Sequence, residues 1–123
     1  MAKQPSIDVL MDAVMSGLVG LDEAVMGLPE NLAGLIKIGH KIRELEHGNP
    51  VEFSSAEAAC LHEAIDAATG MVLSQRKARI SYEKLALKLM EALFAIGDPA
   101  DWAFRLRAMR DSGCTVTIVP VLA

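Results

Sequence analysis

Apolar residues recur at steps of three and four over residues 7–28, the first part of the chain. That spacing is the period of an α-helix with one apolar face. Ser6 is placed to cap this helix, and Asp8 lies in its first turn, where the helix dipole favours an acid. Because Gly17 and Gly20 weaken the middle of the segment, the pattern predicts either one helix that breaks there or two short helices.

Two further helical segments follow in the middle of the chain. The first is predicted to begin at Pro29 and to end within residues 46–50, where Gly, Asn and Pro form a clear stop. Ser54 and Glu57 then match the capping box that opens a helix. This helix is predicted to run to about residue 79, and its internal Gly70 is expected to mark a close contact.

Two more helices are predicted over residues 81–96 and 99–112. Ser81 is expected to cap the first, although a helix that continues unbroken through residues 79–81 remains an alternative. Asp98 is expected to cap the second, and Gly113 follows the last residues with helical spacing. These segments are rich in Ala, Leu and Met, which favour helices.

Residues 114–121 are rich in β-branched residues and alternate threonine with apolar residues, which predicts a short C-terminal strand that Pro120 confines to an edge. A lone strand leaves its backbone groups unpaired, so it needs a partner. The partner is either Val51–Phe53 in the same chain or a strand of another chain. Because three residues are a short partner, the pattern favours self-association as a homodimer. The expected contact residues are Val116, Ile118 and Val119.

The predicted fold is therefore mainly α, a compact bundle of four to five helices with a short C-terminal β-strand. The length of 123 residues predicts a single domain over residues 1–123, with residues 1–5 disordered. No signal peptide is recognisable, and four acids interrupt the apolar tract of residues 7–28, which argues against a membrane span. A cytoplasmic protein, of bacterial or phage origin, is the working interpretation.

Charge is distributed unevenly along the chain. Residues 1–70 contain four Lys/Arg against eleven Asp/Glu, whereas residues 71–123 contain eight against five. The two halves either form an acidic and a basic face or neutralise each other when they pack. The candidate partner-binding residues are Arg76, Lys77, Arg79, Arg105, Arg107 and Arg110. Since the whole protein is acidic, with a net charge of −4, a protein partner is expected and nucleic acid is not.

Chemistry-bearing motifs are sparse. His62 and Asp66 share a helix face at a spacing that suits a metal, but the second histidine of a metalloprotease helix is missing. No nucleophile motif, phosphate-binding loop or cofactor motif occurs, so neither a cofactor nor a metal is expected. The leading hypothesis is a non-enzymatic protein–protein interaction module, such as an oligomeric adaptor, inhibitor or regulator. The alternatives are a nucleic-acid-associated regulator that uses Arg76–Arg110 and a metal-dependent enzyme built around His62.

Overall fold

The computed structural model describes residues 6–119 of the chain. Within that range the protein is mainly α-helical, with six helices and a two-stranded antiparallel sheet. The elements are, in chain order, α1 (Ile7–Met15), α2 (Leu21–Val25), α3 (Glu30–Glu46), β1 (Val51–Phe53), α4 (Ser55–Leu73), α5 (Ser81–Ala95), α6 (Pro99–Ser112) and β2 (Val116–Ile118). The predicted fold class is confirmed. The expected disorder of residues 1–5 and the strand prediction for residues 120–121 fall outside the described residues.

The N-terminal segment forms two short helices, the second of the two predicted arrangements. Gly17 has a φ of +79°, a left-handed conformation that glycine adopts without strain. The guanidinium of Arg43 also packs against this glycine, where a Cβ would lie 2.6 Å from Arg43 Nη2. Ser6 occupies the N-cap position of α1, but its side chain makes no capping hydrogen bond.

Helix α3 supplies a central surface of the core. Its buried face includes Leu35, Ile38 and Ile42, at the spacing of one helix face. Gly39 lies directly against Met11 of α1, and a Cβ at Gly39 would overlap the sulfur of Met11. The small residue therefore permits the close approach of α1 and α3.

The capping box at the start of α4 is confirmed. Ser54 Oγ accepts a hydrogen bond from the backbone N–H of Glu57 at 3.1 Å, and Glu57 Oε1 accepts one from the N–H of Ser54 at 3.0 Å. Lys41 of α3 binds the same carboxylate at 2.7 Å. Partial burial acts to raise the pKa of Glu57, but the hydrogen bond and charge of Lys41 and the hydrogen bonds at Ser54 outweigh it and lower the pKa below its ordinary value.

Replacement of Ser54 by alanine should lower the free energy of unfolding by about 1 kcal/mol, because the N–H of Glu57 loses its acceptor. Urea denaturation measures this change. Ser55→Ala is the matched control, since Ser55 lies beside the cap and is only the first residue of α4. Equal midpoints for Ser54→Ala and Ser55→Ala would contradict the stabilising role of the cap.

Helix α4 ends earlier than predicted, at Leu73 and not near Arg79. The Ser74 hydroxyl donates a hydrogen bond to the carbonyl of Gly70 at 2.8 Å, and Gln75 adopts a positive φ of 56°. Gly70 is exposed with open space around its Cα, so the expected close contact there was wrong.

Residues 74–80, called the crossover here, connect two helices that run in the same direction. Tyr82 at the start of α5 lies near Cys60 in the first half of α4, and the Thr69 hydroxyl near the end of α4 contacts Met90 Sδ at 3.7 Å. Because contacts advance in the same direction along both helices, the crossover must return along the side of the bundle.

Helix α5 begins without a side-chain cap, since Ile80 occupies the N-cap position and Ser81 is already helical. The carboxylate of Glu83 accepts a hydrogen bond from the backbone N–H of Arg79 at 3.1 Å. The predicted cap at Ser81 was therefore wrong, and a side chain inside the first turn stabilises the break instead.

Helix α6 begins and ends as predicted. Asp98 Oδ1 accepts a hydrogen bond from the N–H of Ala100 at 3.0 Å, and Gly113 terminates the helix with a φ of +69°. Trp102 anchors the buried face of α6 and packs against Gly97, where a Cβ would overlap the indole ring.

The C-terminal strand pairs within the chain. β2 is antiparallel to β1, with Val51 opposite Ile118 and Phe53 opposite Val116. The inference that three residues are too short a partner was wrong, because Val51, Phe53 and Ile118 are buried in the hydrophobic core. Packing stabilises a sheet that would be marginal by itself. The homodimer stays a prediction, now without the argument from an unpaired strand.

Candidate interaction surface

The predicted basic residues belong to two separate parts of the fold. Arg76, Lys77 and Arg79 are on the crossover, whose Ala78 lies in a shallow groove with α1 and α5. The arginines of the second group, Arg105, Arg107 and Arg110, are on the exposed surface of α6. The basic residues therefore form two surfaces, one on the crossover and one on α6.

Ion pairs occupy some of these bases and leave others exposed. Arg76 is paired with Glu83, Arg105 lies 3.4 Å from Asp101, and Arg110 lies 3.0 Å from Asp111. Within residues 6–119, no ion pair involves the three remaining bases, Lys77, Arg79 and Arg107. Their charges are available to a partner.

An apolar groove of about 490 Å³ runs between α6 and the end of the chain's described part. Phe104, Ala108 and Met109 form its helical side, with Arg105 and Ser112. The other side is formed by residues 116–119. This volume falls within the range of about 300–1,000 Å³ that is typical of ligand pockets, and it can accommodate several apolar side chains. We call this site the α6–β2 groove.

Phe104 is the most prominent side chain of the groove. Its side chain is 74% exposed. The chain has five aromatic residues, and large apolar side chains of this kind are usually buried. The buried residues Trp102, Leu106 and Met109 follow one helix face, and Phe104 lies two residues from Trp102, on another face. The sequence reasoning missed Phe104, but an aromatic outside the apolar stripe of a helix is a signal that could have found it.

The three predicted self-association residues have different surroundings. Ile118 is buried and packs into the core, Val116 is half-buried, and Val119 is exposed. All three line the α6–β2 groove. The structure therefore brings them together at one site, but only Val119 presents most of its side chain to solvent.

One edge of β2 is covered by β1, and the other edge has no strand partner among residues 6–119. Residues 112–119 contain no charged side chain. Charged residues are a common device that protects an exposed edge from pairing with another strand. No charged side chain in residues 112–119 therefore opposes the addition of another strand to the free edge of β2, beside the groove.

Arg105 is the charged residue of the groove. Its guanidinium lies 5.6 Å from the centre of the Trp102 ring, within the range of a cation–π contact. Asp101 Oδ2, one turn earlier, lies 3.4 Å from Arg105 Nε. These two contacts orient Arg105 at the groove and offset part of its charge.

The alternative prediction placed a metal-dependent site around His62, and in the structure His62 pairs with Asp66 of the same helix. His62 Nδ1 lies 3.4 Å from Asp66 Oδ2 in α4. In the part of the chain from residue 6 to residue 119, no group of three or more His, Cys, Asp or Glu side chains is arranged to hold a metal ion.

The two cysteines differ in their environment. Burial, followed by the charges of Glu63 and Glu57, raises the pKa of the Cys60 thiol. The more accessible Cys114 precedes β2, and the two thiols are not joined by a disulfide. Cys60 therefore has the character of an unreactive, half-buried thiol.

None of the helices found between residues 6 and 119 combines the length and the apolar character that crossing a membrane requires. Comparison with known proteins finds no match: no family model matches the sequence, and no curated protein or solved structure matches it.

Proposed function

We propose that this protein is a non-enzymatic protein–protein interaction module that self-associates as a symmetric dimer through the α6–β2 groove. Its role would be that of a small adaptor, inhibitor or regulator in the cytoplasm. One observation carries the proposal. The uncharged free edge of β2 borders an apolar groove that also contains the exposed Phe104.

The surface is self-complementary, which is the requirement of a two-fold interface. It offers a protruding aromatic ring and, beside it, a recess of about 490 Å³. Under a two-fold axis, Phe104 of each copy enters the recess of the other. The free edges of the two β2 strands pair antiparallel at the same time, and a four-stranded sheet results.

Charge does not oppose this arrangement. Residues 98–112 contain three arginines and three aspartates, so two α6 helices approach each other without net repulsion. Arg105, the charged residue of the groove, already has Asp101 as a partner. Apolar, low-charge surfaces of this kind are more typical of homodimer interfaces than of transient ones.

Phe104→Ser should weaken the dimer about tenfold or more, as expected of an aromatic residue at the centre of an interface. Sedimentation equilibrium at micromolar concentration measures the dissociation constant. Val9→Ser is the matched control, since Val9 is another exposed apolar residue, on α1, and its removal should leave the dimer unchanged.

A second substitution, Ile118→Pro, would remove a backbone donor from β2, but it is a less selective test because Ile118 is buried and opposite Val51. Proline there would damage the sheet of each monomer. A wild-type protein that stays monomeric throughout the micromolar range would contradict the proposal. So would a chain that dimerises only after residues 120–123 are deleted, because its own terminus would then cover the groove.

A further inference from the structure

A second surface of the molecule combines exposed apolar side chains with negative charge. We call it the acidic corner, and its residues are Leu18, Asp22, Glu23 and Met26, on and around α2. Leu18 and Met26 are 82% and 80% exposed, the highest values among the large apolar side chains of the described residues. Asp22 and Glu23 are exposed between them, and residues 4–36 contain no Lys or Arg.

Arg43 of α3 lies near this corner, but its ion pair is with another residue. Arg43 packs against the turn at Gly17, but its side chain is mostly buried and lies 3.5 Å from Glu44. Within the described part of the chain, Asp22 and Glu23 take part in no ion pair. The acidic corner therefore keeps its negative charge in the folded protein.

The crossover has the opposite character. Leu73, the last residue of α4, and Ile80, the last residue of the crossover, are both exposed, Leu73 by 79%. Lys77 and Arg79 lie between them without an ion-pair partner among the described residues, and residues 67–82 contain no Asp or Glu. Unpaired positive charge on the crossover thus lies between two exposed apolar side chains.

We infer that the acidic corner of one copy docks onto the crossover of a second copy of this chain. The acidic and basic halves do not pair with each other within the molecule at these positions, so both sets of charges remain available to a partner. A second copy supplies that charge together with apolar side chains on both sides of the contact. Such opposite potentials select and orient partners.

The contact is heterologous, because the two surfaces belong to different elements, α2 and the crossover. Repeated contacts of this kind close into a ring or extend as an open chain. It is also independent of the α6–β2 groove, which uses neither element. A molecule with both interfaces forms assemblies larger than a dimer.

The contact is tested in a Phe104→Ser background, which removes the proposed two-fold interface. One variant replaces Lys77 and Arg79 by glutamine, and the other carries Asp22→Asn with Glu23→Gln. The two acid-to-amide substitutions keep the side-chain size, and glutamine at positions 77 and 79 leaves a polar side chain without charge. Circular dichroism confirms that both variants are folded.

At low ionic strength, the background protein should associate in sedimentation velocity experiments, and each neutralised variant alone should associate about tenfold more weakly. In an equimolar mixture of the two variants, the intact acidic corner of one variant can bind the intact crossover of the other. The mixture should therefore form this one contact and assemble no further than a heterodimer. Salt should weaken all of these contacts because the charges are exposed.

The control variant carries Arg107→Gln with Arg110→Gln, which removes the same amount of charge from α6 and should leave this association unchanged. A background protein that is monomeric at low salt overturns the inference, as does a mixture that associates no better than its components. Neither result affects the α6–β2 dimer, whose own test is the Phe104→Ser substitution in otherwise wild-type protein.

Discussion

Truncation of Leu89 to alanine is expected to lower the free energy of unfolding by roughly 2–5 kcal/mol. Leu89 is fully buried in α5, and its side chain approaches Gly39 of α3. Because α5 contacts α1, α3 and α4, helices on several sides bound the cavity left by the substitution. Such a cavity collapses poorly, so the loss should exceed the transfer free energy of the removed atoms.

Urea denaturation followed by circular dichroism measures this loss. Leu73→Ala is the control, since it makes the same chemical change at an exposed position at the end of α4 and should alter stability by less than about 0.5 kcal/mol. Similar midpoints for the two variants would contradict the burial of Leu89 in the core.

Replacement of Gly97 by alanine is expected to destabilise the protein by about 1–3 kcal/mol, the usual penalty for overpacking. A Cβ at Gly97 would overlap Nε1 of Trp102. The indole ring is rigid and almost fully buried, so the ring, and α6 with it, has to move. The same substitution at Gly70 should stabilise α4 by about 0.5–1 kcal/mol, because that glycine is helical and unobstructed.

Trp102 is the only tryptophan in the chain, and its fluorescence reports the displacement directly. Gly97→Ala should change the emission spectrum of the folded protein, while Gly70→Ala should leave it unaltered. Stabilisation by Gly97→Ala, or an unchanged spectrum, would contradict the packing described for α6.

The position of Trp102 connects stability with the proposed interface. Trp102 anchors the inner face of α6 and orients Arg105 through the cation–π contact. The outer face of the same helix presents Phe104 to the α6–β2 groove. A displaced Trp102 should therefore weaken self-association as well as folding.

Local chemistry allowed much of the fold to be predicted from the sequence. Glycine and proline mark the ends of α3 and α5, and the helical period identifies the faces that become buried. The box of Ser54 and Glu57 forms as predicted, since both hydrogen bonds join residues three apart. Features that depend on residues three or four positions apart, such as helix caps and helix ends, can be predicted without the rest of the structure.

The end of α4 and the role of Gly70 depended on tertiary structure. Residues 74–79 have acceptable helix propensity, but they lack a buried stripe, and the crossover has to return along the bundle to start α5. Nothing in the sequence distinguishes Gly70, which is exposed, from Gly39 and Gly97, which have side chains of other elements directly against them.

The sequence by itself determined the mainly α fold, the helix N-caps at residues 54 and 98, and the opposite charges of its two halves. Only the tertiary structure decided that β2 pairs with β1, that the six bases divide between the crossover and α6, and that Phe104 faces a groove. The physical reason is range. Helical period and capping act over three or four residues, whereas strand pairing and surface composition join residues that are distant in the chain.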